Sequence, residues 1–391
     1  MTTVSLTPVR RKWMTAYALA MIGVAAGWFG PIQILLPEQA ARLAGDGGKE
    51  ALLALVTAWG AAASMVANPL WGALSDRLGS RRPIFVAGTV VGVAGLLTLS
   101  AADTTPIMVT GWILVQAGLN GPLAALAAMI GDRVPEQQRG TVGALFGVAQ
   151  IVGVILGTAV AVAAGDETIG YIAVAVAVPA LGATILIINR ESAIVRSPSS
   201  RLRWPGGQFA WAWVIRFLLN LVNALVLVYL LYYLSDRVGV DDAATWVLVL
   251  TVVNVLFAGI CGFAGGMLSD RWERRKVFVA AGAIILAAGT TLMALVPTVP
   301  VALMASMLIG IGWGAYIAVD MAVITQVLPD PETRATMLGV ANIAGTLPQL
   351  LAPVLAAPIV TMLGGYRTLY LVTAGFALVA LALLPRLRSL H

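Results

Sequence analysis

The sequence predicts an all-α membrane protein whose twelve spanning helices form two pseudo-symmetric six-helix bundles. Three observations carry that prediction. Hydrophobic residues make up 60% of the 391 residues and charged residues 11%, too few charges to cover the surface of a soluble domain. Apolar stretches of the ~20 residues needed to cross a bilayer recur along the whole chain. One short pattern also occurs twice: Gly72-Ala73-Leu74-Ser75-Asp76-Arg77 and Gly266-Met267-Leu268-Ser269-Asp270-Arg271 are 270 − 76 = 194 residues apart, about half the chain. Each copy follows an apolar stretch and runs into a basic cluster, so each half reads as one copy of an ancestral unit.

The spans follow from that criterion in order. The first, 13–36, comes after Arg10, Arg11 and Lys12 with no small-residue cleavage site behind it, so it is expected to be an uncleaved helix. Its Gly23, Gly27, Gly30 and Pro31 favour close packing and a bend. The second, 51–74, ends at the first copy of the repeated pattern, and the third, 83–101, starts beyond Arg81 and Arg82. The fourth, 106–131, is long and leads to Val134-Pro135-Glu136 and Arg139. The fifth and sixth are expected at 140–164 and 168–188. Residues 190–208, with four arginines and several Ser, Pro and Gly, read as a flexible linker between bundles 1–189 and 209–391. The second bundle then offers 209–234, 243–268, 277–296, 299–327, 335–362 and a brief 367–386. Its fourth member ends in Leu328-Pro329-Asp330 and Arg334, echoing the end of the fourth span.

Net charge is +6, which in a soluble protein suggests nucleic acid. Here the placement of the charge argues otherwise. With both termini inside, nineteen of the 24 Lys and Arg fall in cytoplasmic segments and four (Arg42, Lys49, Arg237 and Arg367) outside. That bias is an orientation signal, predicting a multi-pass protein of the cytoplasmic membrane with both termini in the cytoplasm and no nucleic-acid partner. The single cysteine, Cys261, sits in an apolar run and permits no intrachain disulfide. No nucleophile–base–acid set, metal-ligand cluster or phosphate-cradling loop is present, so an enzyme, a cofactor and a metal site are not expected.

The loop after the second span reads Gly72, Asp76, Arg77, Gly79, Arg81, Arg82, and its second copy Gly266, Asp270, Arg271, Arg274, Arg275 with Glu273 in the place of the second glycine. On these residues the chain resembles the major facilitator superfamily over essentially its whole length. More weakly, Arg216-Phe217, Tyr229-Leu-Leu-Tyr232, Val319-Asp320, and Asn342 before Leu347-Pro348-Gln349 look like actinobacterial relatives of glycoside–pentoside–hexuronide and sucrose-type porters. The resemblance implies two bundles around a cavity lined by helices one, four, seven and ten, with the Asp-Arg loops as gating contacts. A carboxylate at the end of the second helix can accept hydrogen bonds from a helix N-terminus and pair with Arg in one state of such a gate.

An ionisable group at mid-membrane costs about 2.5 to more than 10 kcal/mol, so each needs a reason. Of the eighteen acids, Asp320 alone lies deep in a span; it precedes Pro329 by nine residues, roughly 13 Å of helix. Its counterpart in the fourth span is Leu126, so the repeat does not demand it. Arg216 lies at similar depth in the seventh span, and an Arg216–Asp320 pair would lower the burial cost of both. Asp320 is the expected proton or sodium carrier; His391, the only histidine, is the last residue. Asp132 is a second candidate near water. Polar residues on the implied cavity helices, Gln33, Gln116, Asn120, Asn220 and Asn223, are candidate substrate contacts, with Tyr229, Trp313 and Tyr316 as stacking surfaces.

The expected function is a monomeric secondary transporter moving a small polar solute by alternating access, proton-coupled and with sugar-like compounds first. A proton-coupled drug or metabolite efflux antiporter is the rival of the same fold, although helix five lacks a Gly-Pro pair and helix four a buried Arg. A ligand sensor that does not transport is the rival of another class.

Overall fold

The computed structural model describes residues 8–45, 47–189, 207–272, 274–327 and 334–387. Among them there is no strand, and twelve helices are long and apolar enough to cross a membrane. Contacts divide the chain into two compact units, Met1–Ser197 and Pro198–His391. Nearly all of the expected linker, Glu273 and the Pro329-Asp330 corner lie outside the described residues.

Unit 1 consists of α1 (Arg11–Ala44), α2 (Lys49–Leu78), α3 (Arg82–Ser100), α4 (Thr105–Arg133), α5 (Glu136–Ala164) and α6 (Glu167–Ile188). Within it α3 packs on α4, α1 on α5 and α6, α2 on α4, and α3 on α6. Lipid tails give no hydrophobic drive between helices, so close packing must supply the attraction, and small residues permit it. At Gly88 a Cβ would meet the Gly118 carbonyl oxygen at 2.6 Å, which joins α3 to α4 backbone to backbone. Large side chains fill the α1, α4, α5 and α6 seam at the other extreme: Trp13 stacks on Tyr17 at 5.1 Å, and the Tyr17 hydroxyl donates to the Leu126 carbonyl at 3.1 Å.

Unit 2 repeats this plan with α7 (Gln208–Val228), α8 (Ala243–Trp272), α9 (Arg275–Leu295), α10 (Val299–Gln326), α11 (Arg334–Met362) and α12 (Gly365–Leu383). Its pairings, α9 on α10, α7 on α11 and α12, α8 on α10 and α9 on α12, are those of unit 1 advanced by six helices. The small-residue contact recurs too. A Cβ on Gly282 would meet the Gly312 carbonyl oxygen at 2.8 Å, and both glycines stand 194 residues beyond Gly88 and Gly118 (282 − 88; 312 − 118). Apolar side chains such as Phe263 on α8 and Val90 on α3 are exposed, as a bilayer-facing surface requires.

Two helices depart from the expected bounds. The hydropathy pattern ends the first at 36, where polar residues begin; α1 instead runs to Ala44. Pro31 has no N–H, so the regular ladder loses a bond there and the chain widens to a π segment, Pro31–Leu35. The polar turns beyond persist because they have partners in unit 1. Gln39 Nε2 donates to the Leu99 and Ala102 carbonyls at 2.9 and 3.2 Å where α3 ends, and Arg42 Nη2 donates to the same Ala102 carbonyl at 3.2 Å. The Tyr171 hydroxyl donates to Gln39 Oε1 at 3.0 Å, and Arg42 pairs with Glu167. Arg42, a loop residue by its hydropathy, is therefore a helix residue.

The same pattern makes the seventh a single helix over 209–234. In the structure it breaks at Tyr229 (φ −123°, ψ 24°), resumes at Leu230–Tyr232 and ends in a second π segment, Tyr233–Val238. Gly239, with φ +76°, closes it in the left-handed region that suits glycine. The Tyr233 hydroxyl donates to the Met293 carbonyl of α9 at 2.8 Å. Tyr233 and Met293 stand 194 residues beyond Gln39 and Leu99 (233 − 39; 293 − 99), so the two units fasten the same joint with different side chains.

Candidate functional site

Asp320 and Arg216 meet inside unit 2. Asp320 lies on α10 and is buried; Arg216 lies on α7, and its Nη1 donates to Asp320 Oδ2 in an ion pair with side chains 9% and 12% exposed. The second carboxylate oxygen, Oδ1, accepts the Tyr316 hydroxyl at 2.6 Å from one turn earlier on α10. Helical spacing produces this pairing, because residues four apart share a face. The same spacing on α7 brings Asn220 back to Arg216, where its Nδ2 donates to the Arg216 carbonyl at 2.8 Å. Asn220 also adjoins the Tyr316 hydroxyl, so two α7 residues and two α10 residues form one connected cluster.

The guanidinium is incompletely used. Nη1 serves Asp320 and lies 3.9 Å from Met321 Sδ, whereas the buried Nε has no hydrogen-bond partner among the described residues. Gly345 of α11 stands beside it: a Cβ there would lie 3.8 Å from Arg216 Nη2 and 4.0 Å from Asn220 Oδ1, ordinary contact distances. Trp213 holds α11 at this level by donating from Nε1 to the Val340 carbonyl at 2.9 Å, with Phe217 stacked on the indole at 5.6 Å.

The remaining sequence candidates occupy other places. Trp313 packs on Tyr316 at 5.5 Å and so borders the cluster. Asn223 is half-buried on α7. Tyr229 is buried at the α7 break and stacks on Tyr232 at 5.9 Å. In unit 1, Gln33 sits in the π segment and its Oε1 accepts the Thr158 hydroxyl of α5 at 2.8 Å. Asn120 Nδ2 donates to Ser64 Oγ of α2 and to the Gln116 carbonyl, each at 2.7 Å; Gln116 itself is half-buried. None of these three contacts belongs to the Arg216 cluster.

In the first loop motif, Gly72 lies within α2 and Gly79 (φ +66°) ends it, with its N–H donating to the Ser75 carbonyl. Arg77 and Arg82 are exposed. Arg81 turns inward: its Nε donates to Asp132 Oδ2 at 2.8 Å and its Nη1 to Ser75 Oγ at 2.7 Å. In the second copy Gly266 lies within α8, Arg271 and Arg274 are exposed, and Arg275 Nη1 donates to Gln326 Oε1 at 2.8 Å. The side chains of Asp76 and Asp270 lie outside the described residues. Arg81 with Asp132 and Arg275 with Gln326 are equivalent at the 194-residue spacing (275 − 81; 326 − 132), one ionic and one neutral. Sequence reasoning takes Asp132 for a water-facing acid and passes over Gln326, although that spacing points to both contacts. At the opposite ends, Asp242 caps α8, and the Thr245 N–H that it accepts holds its carboxyl below the usual carboxylate range.

A duplicated twelve-span helical protein with an ion pair inside its second half defines the class: a polytopic membrane protein built as two six-helix units. The chain belongs to the Major Facilitator Superfamily, whose family model matches residues 13–206 and 212–390. It is thus a multi-pass membrane transporter of small molecules and not an enzyme. No curated protein matches its sequence. Solved structures share the fold at low identity. A bacterial homolog to the human lysosomal transporter Spinster, inward-facing and unoccupied, matches at 16% identity and TM-score 0.73, covering 97% of this chain and 96% of that one. A point mutant of the nucleoside transporter NupG matches at 14% and 0.79, covering 97% and 100%. The peptide transporter POT in complex with sulfate matches at 14% and 0.81, covering 97% of both.

Proposed function

We propose that this chain is a secondary active transporter that moves a small polar solute across the cytoplasmic membrane by alternating access, with both termini in the cytoplasm and Asp320 carrying the coupling proton. The observation that carries this reading is the buried Arg216–Asp320 pair with Tyr316 on the second carboxylate oxygen. An ionisable pair within membrane-spanning helices is costly for a purely structural element, and apolar residues would pack there at lower cost. Protonating Asp320 removes the charge that holds Arg216, which turns a proton into a change of contact between α7 and α10. The Arg81–Asp132 and Arg275–Gln326 contacts are the fixed points at the loop motifs, and they support a gating rather than a solute-binding role for those loops.

A sugar-like solute is the class that the motif resemblance favours, with Trp313 beside the cluster as its stacking surface. Asn120 and Gln33 serve better as packing polar groups than as ligand contacts, because Ser64 and the Gln116 carbonyl engage the first and Thr158 the second; Gln116 stays a candidate contact. The test is uptake into proteoliposomes under an imposed pH gradient, using a ligand found by thermal-shift screening of the purified protein. Asp320→Asn should abolish pH-driven uptake and keep counterflow of labelled ligand. Undiminished pH-driven uptake in that variant removes Asp320 from coupling. Binding without counterflow in the native protein would make it a sensor, and accumulation opposite to the proton flow would make it an efflux antiporter.

A further inference from the structure

We infer that the transported solute carries a carboxylate, received on the Nε–Nη2 edge of Arg216, and that it moves with one proton taken up by Asp320. This rests on the transporter reading above and adds to it the chemical class of the cargo.

A guanidinium presents five N–H donors in a flat fork, and its Nε–Nη2 edge matches the two oxygens of a carboxylate. Asp320 occupies neither nitrogen of that edge. It is bound through Nη1 on the other side of the fork, while Nε is buried and has no partner among the described residues. A buried donor left unpaired is unfavourable and marks a place where a ligand atom belongs. Beside Nη2 the α11 helix carries Gly345, whose missing side chain would stand in contact with Nη2 at 3.8 Å, and Asn220 Oδ1, 4.0 Å from the same point, is an acceptor for a hydroxyl or ammonium group.

Charge counting then fixes the proton. The cluster by itself is neutral: one guanidinium and one carboxylate. A monoanion received on that edge gives one cation facing two anions. One H⁺ taken from water onto Asp320 restores neutrality: its O–H bond forms, its ionic bond to Arg216 Nη1 is lost, and the solute carboxylate becomes the counter-ion. Among the described residues, the charged or titratable groups facing Asp320 are Arg216 from α7 and Tyr316 from α10; α8, α9 and α11 place none against it. The net event is one anion and one proton on the same side, an electroneutral symport. A sugar acid would satisfy this chemistry together with the motif resemblance.

The test uses the full-length protein in detergent with gluconate, glucuronate, lactate and benzoate, each paired with its uncharged counterpart: sorbitol, glucose, propane-1,2-diol and benzyl alcohol. Thermal shift and calorimetry are run at about pH 5.5 and about pH 7.5, where these acids stay ionised. At least one carboxylate should bind, more tightly at the lower pH, while its uncharged partner does not. Arg216→Gln should weaken that probe by about 10- to 100-fold. Gly345→Leu, which fills the space beside Nη2 and leaves the ion pair alone, should weaken it as well. Asp320→Asn should keep the binding and lose its pH dependence. The inference is overturned if no carboxylate binds, if the uncharged partner binds equally, or if Gly345→Leu and Arg216→Gln both bind like the native protein. Counterflow separates this from the broader reading: exchange of an uncharged probe sinks the carboxylate and keeps transport. A carboxylate that binds but never exchanges sinks transport and keeps the site.

Discussion

The buried pair makes a stability prediction of its own. Asp320→Leu removes the counter-ion of a guanidinium whose side chain is 12% exposed, and the Tyr316 hydroxyl loses its acceptor. Breaking a buried pair by deleting one partner costs about 3–5 kcal/mol, because the remaining charge is left desolvated. For a unit of this size each kcal/mol moves the midpoint by about 2–4 °C, so the single variant should melt roughly 6–20 °C below the native protein. Arg216→Met combined with Asp320→Leu removes both charges, and apolar side chains then occupy the space. That double variant should recover most of the loss, since apolar replacement of a buried pair is often neutral or stabilising by about 1–4 kcal/mol. The measurement is thermal unfolding in detergent at neutral pH of the native protein, both singles and the double, read as a cycle. A double variant no more stable than Asp320→Leu, or a single variant within about 2 °C of native, would show that water reaches Arg216 freely and refute the reasoning. The double variant should fold without carrying out proton-driven uptake.

Other contacts give shorter tests. Gly88→Leu and Gly282→Leu each force a side chain against a backbone carbonyl, at 2.6 and 2.8 Å from the first added carbon, and should cost about 1–3 kcal/mol or more, whereas Gly259→Ala, with nothing within 4 Å, should change melting little. Tyr233→Phe removes one hydrogen bond to Met293 and should cost about 1 kcal/mol; Gln39→Leu, which strands the Tyr171 hydroxyl while the Leu99 and Ala102 carbonyls keep the Ala102 N–H and Arg42 Nη2, should cost about 1–3 kcal/mol, both by thermal unfolding. Asp242 favours its ionised form in the folded chain, so its capping of α8 is present at neutral pH and is lost as pH falls through its folded pKa; protection of the Thr245 amide, its exchange rate relative to the chemical rate at the same pH, should fall on acidification and be pH-insensitive in Asp242→Ala.

The architecture was legible because membrane helices advertise themselves by length and because duplication repeats its landmarks. Gly88 and Gly118, and Arg81 and Asp132, each have a counterpart 194 residues on. The Arg216–Asp320 contact was one of the arrangements expected from the cost of burying two charges at one depth, on two helices that the family resemblance sets around one cavity. Hydropathy failed at Gln39 and Arg42, because a scale that scores polarity ends a helix wherever polar residues start. It contains nothing about carbonyls at the end of another helix. Tyr229 failed for a different reason: an aromatic residue in an apolar run gives no sign of a break, which here comes from tertiary packing. Asn120 shows a third limit, because an amide on a helix does not reveal which neighbour it faces; its partner across the seam is Ser64 of α2.

The twin joints at Gln39 and Tyr233 limit where the first and seventh helices can flex. Their far ends are fastened to the ends of α3 and α9. Any bending must therefore be absorbed below that fastening, at the loosened coil Pro31–Leu35 in one half and around Tyr229 in the other. A single substitution at Pro31 or Tyr229 would therefore change one helix of its half and leave the fastening at the α3 or α9 end in place.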